Sequence, residues 1–163
     1  MPQKSSRLAL AAALLLLPAL ALGQLRAPDE DDQTPPGASV AGGKVASLLV
    51  FEGPAENLPK DQRIYRQSFD AARTRFIFYE LDLKYPAALP RDGRFDIQAV
   101  CVRGNGEEVF RISQACRQDA GWTSSHHSSG WGRPSTGGWK PGAYTLKILH
   151  EGREVAVGSF RID

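Results

Sequence analysis

From Val45 onward, apolar and polar residues alternate with a period of two, the signature of strands with one face in a core. The clearest run is 75–85. Ile77, Tyr79, Leu81, Leu83 and Tyr85 lie on one face, with Glu80, Asp82 and Lys84 on the other. Phe76 and Phe78 interrupt the polar face at its start, which predicts cover on both sides there, while Glu80 and Asp82 read as ordinary solvated carboxylates. Phe95, Ile97, Ala99 and Cys101 share one face of the next strand. Gly104-Asn105-Gly106 then predicts a hairpin with a type I′ turn, which needs positive φ at two successive residues. The return over 107–113 brings Phe110 and Ile112 inward. Further strands are expected at 47–51, more weakly at 65–69, at 143–150 with Tyr144, Leu146, Ile148 and His150 inward, and at 154–162 with Ala156, Phe160 and Ile162 inward.

About seven short strands with tight turns and no amphipathic helix cannot make a parallel sheet, which needs long crossovers. The expected fold is all-β, a two-sheet antiparallel sandwich of immunoglobulin-like type over residues 45–163. A barrel is the alternative, and only strand order separates the two.

Two stretches escape this pattern. Residues 24–44 hold Asp29-Glu30-Asp31-Asp32, Pro35-Pro36-Gly37 and almost no bulky apolar side chain. Such a composition cannot offset its own ordering entropy, so it reads as a flexible acidic linker. Residues 114–140 form a long irregular segment carrying Trp122, Trp131, Trp139, His126 and His127. Loops of that length in a compact domain are often functional.

The first 23 residues form a third kind of segment. Lys4 and Arg7 precede a charge-free apolar run over 8–22, and small residues close it at Ala21 and Gly23. This is the layout of a secretory signal peptide cut before Gln24. At about 15 residues the run falls short of the roughly 20 that span a bilayer, so no membrane insertion is expected after cleavage. The destination is periplasmic or extracellular. Two of the 20 basic residues leave with the signal and none of the 18 acidic ones, so 18 bases face 18 acids in the mature chain. With no dense basic face, nucleic acid is excluded as a partner.

Cys101 and Cys116 make an even count in an oxidising compartment, which suggests one disulfide. Hairpin geometry opposes it, because Cys101 then faces Phe110 and Cys116 lies roughly 20 Å along the strand. A bridge that bends the chain back after Ser113 and two separate thiols both remain open.

The segment Trp139-Lys140-Pro141-Gly142-Ala143-Tyr144, followed by Gly158-Ser159-Phe160, resembles the closing hairpin of bacterial exported immunoglobulin-like domains. The resemblance covers about 25 residues. It implies a module that binds partners, spaces domains or packs in assemblies, and that is rarely catalytic. In it Pro141-Gly142 sets the turn, Tyr144 enters the core with its hydroxyl near solvent, and Trp139 caps the sheet end.

Chemistry-bearing residues are sparse. Adjacent His126 and His127 point to opposite faces if they lie on a strand, so they hold one metal only if the loop curls around it. Trp122, Trp131 and Trp139, with Arg133 and nearby serines, describe either a sugar-stacking platform or the anchors of a lid folded onto the sandwich. Ser128-Ser129-Gly130 beside the histidines lacks the Gly-x-Ser-x-Gly elbow, and a nucleophile needs an oriented base. No cofactor and no catalysis are expected. The reading is an exported binding or structural module with an envelope protein partner. Trp122, His126, His127, Trp131, Arg133 and Trp139 are its candidate surface. Carbohydrate or cell-wall binding through 114–140 is the alternative, and metal binding at the histidines a weaker one.

Overall fold

The computed structural model describes residues 38–163. The signal peptide and residues 24–37 of the linker lie outside them. The described chain forms nine strands: β1 (Ser39–Val40), β2 (Gly43–Gly53), β3 (Ser68–Phe69), β4 (Phe76–Lys84), β5 (Gly93–Arg103), β6 (Glu108–Gln118), β7 (Ser124–Gly132), β8 (Gly142–His150) and β9 (Arg153–Ile162). A single 3₁₀ turn, Lys60–Gln62, sits between β2 and β3. One sheet runs β1-β2-β4-β7 and the other β3-β9-β8-β5-β6. All pairings are antiparallel except the short β3–β9 contact, which is parallel.

Two separate sheets exclude a barrel. Of the seven long strands, the first, second and fifth make one sheet, and the third, fourth, sixth and seventh make the other. Chain crossings between facing sheets of this kind build the immunoglobulin-like sandwich. A second feature belongs to the same fold. Tyr144, near the start of the penultimate strand β8, donates its hydroxyl to the carbonyl oxygen of Lys140 at 2.6 Å, a tyrosine corner. The Tyr144 ring is buried, stacked on Phe160 with centroids 5.1 Å apart. Its hydroxyl is thus engaged by the backbone.

The alternating faces of β4, β5, β8 and β9 pack inward as their periodicity predicts, with Leu81, Leu83, Ala99, Cys101, Ile148 and Ile162 fully buried. Three expectations change. The sandwich begins before Val45: β1 pairs with β2, and Val40 is fully buried, so residues 38–44 belong to the fold and not to the linker. One buried valine anchors this edge despite the turn-forming residues around it. The segment 65–69 contributes only the two-residue β3 and a single bridge from Tyr65 to Phe51. The seventh long strand is instead β7, inside the stretch read as an irregular loop, and β6 continues to Gln118. Period-two patterning misses β7 because its inward residues are polar: Ser125 and His127 are buried and bonded to each other, Oγ to Nε2, at 2.8 Å.

The β5–β6 turn also differs from expectation. Only Gly106 has positive φ, at 85°, and the Arg103 amide bonds Glu107. This is a turn ending in a left-handed glycine, followed by a bulge between Cys101 and Val102 that restores the Cys101–Phe110 pairing. Cys116 pairs with Phe95, six residues along the strand from Cys101. Both thiols are free and buried, so the disulfide is not formed. Burial pushes each thiol up to about 12, helped at Cys116 by Asp96.

The outer face of the β2-β4-β7 sheet is covered by residues 54–67. Phe51 stacks on Phe78 at 5.4 Å, Tyr65 meets Phe51 edge-on at 5.7 Å, and the Arg63 guanidinium lies 4.9 Å from the Phe51 ring centre. On β7, Gly130 leaves room for this layer, since a Cβ there would fall 2.4 Å from the Phe78 ring. The double cover predicted from Phe76 and Phe78 is present, and it extends further than expected, to Glu80.

Candidate functional site

Glu80 is fully buried on that outer face and is not a solvated carboxylate. It accepts from Tyr65 Oη at 2.7 Å, pairs with Lys60 Nζ at 2.6 Å and forms a short ion pair with Arg63 Nη1. Burial pushes its carboxyl up, but the bonds from Lys60, Tyr65 and Arg63 outweigh it and hold the group at about 2. Beside it, Asp82 accepts from Ser47 at 2.8 Å and lies 3.7 Å from His126 Nδ1. Every charge here is paired within the fold, so the cluster fastens the 54–67 cover to the sheet. No pattern in the sequence marks it, because its partners lie 15 to 20 residues away in a segment without periodicity.

β7 separates the two histidines. His126 is exposed toward Asp82, and His127 is buried on the other side against Phe95, with ring centres 5.0 Å apart. A single ion cannot take both, and among the described residues no group of three or more His, Cys, Asp and Glu is placed to hold a metal. Burial and the neighbouring His126 hold the His127 imidazole down at about 4, although Asp82 pulls the other way. The Ser125–His127 pair resembles a nucleophile and its base, but both residues are buried. The Ser125 hydroxyl is also 2.7 Å from the Tyr85 hydroxyl, which accepts from Gln118 at 2.8 Å. This chain of bonds satisfies polar groups inside the core.

The three tryptophans part as well. Trp139 is buried, edge-on to Tyr144 at 5.5 Å, and its indole N–H donates to the Arg75 carbonyl at 3.2 Å. Trp122 is exposed in the β6–β7 turn, beside Leu89. Trp131, near the end of β7, is partly buried, stacked on Phe110 at 5.7 Å and perpendicular to Trp139 at 5.5 Å. A three-indole platform is therefore not formed, and Trp139 is an anchor.

Trp131 and Trp139 line a groove of about 200 Å³ at one end of the sandwich, where β6 starts and β7 ends. Trp131, Trp139 and Tyr144 form its aromatic wall. Arg103, Arg133 and Lys140 stand on its rim with Glu107 and Glu108. Arg103 lies 3.7 Å from Glu107, and Glu108 is taken by Arg111 at 2.7 Å. Arg133 and Lys140 are exposed and have no ion-pair partner among the described residues. The Arg133 stem lies over Gly138, where a Cβ would approach its Cδ to 3.2 Å. Of the sequence-derived candidates, the fold brings Trp131, Arg133 and Trp139 together and leaves Trp122, His126 and His127 elsewhere. Arg103 and Lys140 complete the groove, and buried Phe110 backs Trp131. The fixed offset from Lys140 to Tyr144 was the available sign for one of them.

No protein-family model matches the sequence, and no curated protein matches it either. Among solved structures, the alkylpurine DNA glycosylase AlkC of Pseudomonas fluorescens bound to DNA is similar over 75% of this chain and 30% of its own, at 15% identity and a TM-score of 0.46. A β-D-glucoside glucohydrolase from Trichoderma reesei shares 10% identity over 74% of this chain and 19% of its own, with a TM-score of 0.46. An immunoglobulin-like protein from Pseudomonas aeruginosa shares 11% identity over 76% of this chain and 98% of its own, with a TM-score of 0.42. The chain thus spans less than a third of the two enzymes.

Proposed function

We propose that this chain is an exported, non-catalytic binding module that engages a protein partner in the bacterial envelope through the Trp131 groove. One observation carries the reading: an indole braced between Phe110 and Trp139 shares an open groove with two exposed cations lacking carboxylate partners among the described residues. Tryptophan and arginine are the residues that concentrate interface energy, and a braced ring loses little entropy on binding. Export rests on the basic start and apolar run of the first 23 residues.

The test is quantitative capture from the envelope fraction with the unaltered chain, Trp131→Ala, Arg133→Glu and, as a distant surface control, Arg153→Glu. The reading expects one protein recovered reproducibly by the unaltered chain and the control and lost by both groove variants. A companion retained by Trp131→Ala and Arg133→Glu, or no companion at all, overturns it.

A further inference from the structure

We infer that the groove receives carboxylate side chains of an acidic, extended segment of the partner, which continues as an added strand along β6. This rests on the groove reading above and specifies its ligand. The first ground is charge. Glu107 and Glu108 already face Arg103 and Arg111, so the groove that Trp131 lines presents Arg133 and Lys140 as uncommitted cations. Carboxylates complement them, and Arg133 offers the two-pronged geometry that a carboxylate matches. A basic segment meets like charge, and a neutral one leaves both cations without a counter-charge.

The second ground is the backbone. β6 pairs with β5 alone among the described strands, so its other edge presents a row of main-chain donors and acceptors over eleven residues. The groove opens at the head of that edge, at Glu107, Glu108 and Val109. An extended peptide seated at Trp131 can continue along the edge by main-chain bonding, the β-augmentation mode. An anionic polysaccharide has no such ladder, which favours a peptide. Along the same strand, exposed Arg111 and Arg117 already face Glu108 and Asp119, so the strand edge contributes main-chain bonding and the free charge stays at Arg133 and Lys140. Alternate side chains of an added strand fall on one side, so a peptide with acids at every second position presents its carboxylates on a single face.

The experiment follows indole and amide signals of the ¹⁵N-labelled full chain by NMR. Four probes are titrated at low salt: a peptide alternating Glu and Val, its Gln-for-Glu counterpart, its Lys-for-Glu counterpart, and polygalacturonate. The inference expects the Glu peptide to shift the Trp131 indole and the β6 amides but not the Trp122 indole. Affinity is expected to fall roughly tenfold or more for the Gln peptide, for Arg133→Glu, for Lys140→Glu and on raising salt, with Arg153→Glu unchanged.

Equal binding of the Gln or Lys peptide at Trp131 overturns the acidic specificity and leaves the groove reading standing. A Trp131 shift with no response along β6 overturns strand addition, as does binding of polygalacturonate without the Glu peptide. If no probe binds, groove-dependent capture of an envelope protein overturns this inference alone, whereas groove-independent capture overturns both.

Discussion

Tyr144 and Lys140 are joined across the turn before β8 by a 2.6 Å hydrogen bond from the tyrosine hydroxyl to the lysine carbonyl. This bond ties the core to the groove: the Tyr144 ring stacks on Phe160, and the residue it holds carries one of the groove cations. Tyr144→Phe keeps the ring and removes the bond. It should lower stability by about 1 kcal/mol in urea denaturation, the usual net worth of one such bond. It should also broaden the Lys140 amide signal as the turn loosens. An unchanged urea midpoint would show that the corner contributes nothing to this fold.

Glu80 and His127 together set a pH profile. The Glu80 carboxyl sits at about 2, below its ordinary 4.5, so the folded chain resists protonating it. Its stabilisation is complete above the unfolded value and is lost as pH falls from there toward 2. His127 sits at about 4, below its ordinary 6.5, so the unfolded chain takes up that proton first. Its contribution is likewise complete above the unfolded value and declines as pH falls through the window down to about 4. Stability should therefore fall in two successive stages below neutrality. Glu80→Gln should flatten the lower stage, and at neutral pH it should cost roughly 1–3 kcal/mol by leaving half-buried Arg63 without its counter-charge. Urea midpoints taken across the range check both, and a flat profile from neutral to strongly acidic pH would contradict them.

Gly130→Ala tests the layer over β4. The added methyl would lie 2.4 Å from the Phe78 ring and 2.6 Å from the Ile77 carbonyl, and the backbone atom cannot swing aside as a side chain can. A loss of about 1–3 kcal/mol is expected, as for other overpacked sites. Gly137→Ala faces open space at a positive φ of 74°, so it should suffer backbone strain without any clash. Comparing the two separates steric from conformational cost.

Cys101 and Cys116 should resist thiol reagents in the native state, because both are buried and their thiolates are disfavoured. Mass spectrometry after alkylation should find no adduct on the folded chain and two after unfolding in denaturant. Oxidant treatment should leave the native mass unchanged. A loss of two hydrogen atoms there, with both electrons passing to the oxidant, would mean that the two strands can slide by six residues, against the register observed.

The buried faces of β4, β5, β8 and β9 were legible because each is a local pattern, apolar residues two apart with polar ones between. β7 was not. Its inward Ser125 and His127 satisfy each other and Tyr85 inside the core, so a strand with alternating burial carries no alternating hydrophobicity. Residues 114–140 therefore read as a loop, and a binding surface was spread over side chains that β7 sends in opposite directions. Glu80 was misread for a related reason. Its place on the polar face of an amphipathic strand is local information, but its cover arrives from residues 54–67, whose composition gives no sign of where they dock.

Sequence alone determined that the chain makes antiparallel strands, which residues of β4, β5, β8 and β9 face the core and where the Cys101–Phe110 hairpin closes, since these follow from backbone pleat and turn chemistry over a few residues. Tertiary structure alone decided which strands neighbour one another, that Glu80 is buried, that the two cysteines never meet, and that Trp131, Arg133 and Lys140 share a groove. Those outcomes depend on contacts between segments far apart in the chain, where burial and charge pairing are settled jointly by both partners and are written in neither one.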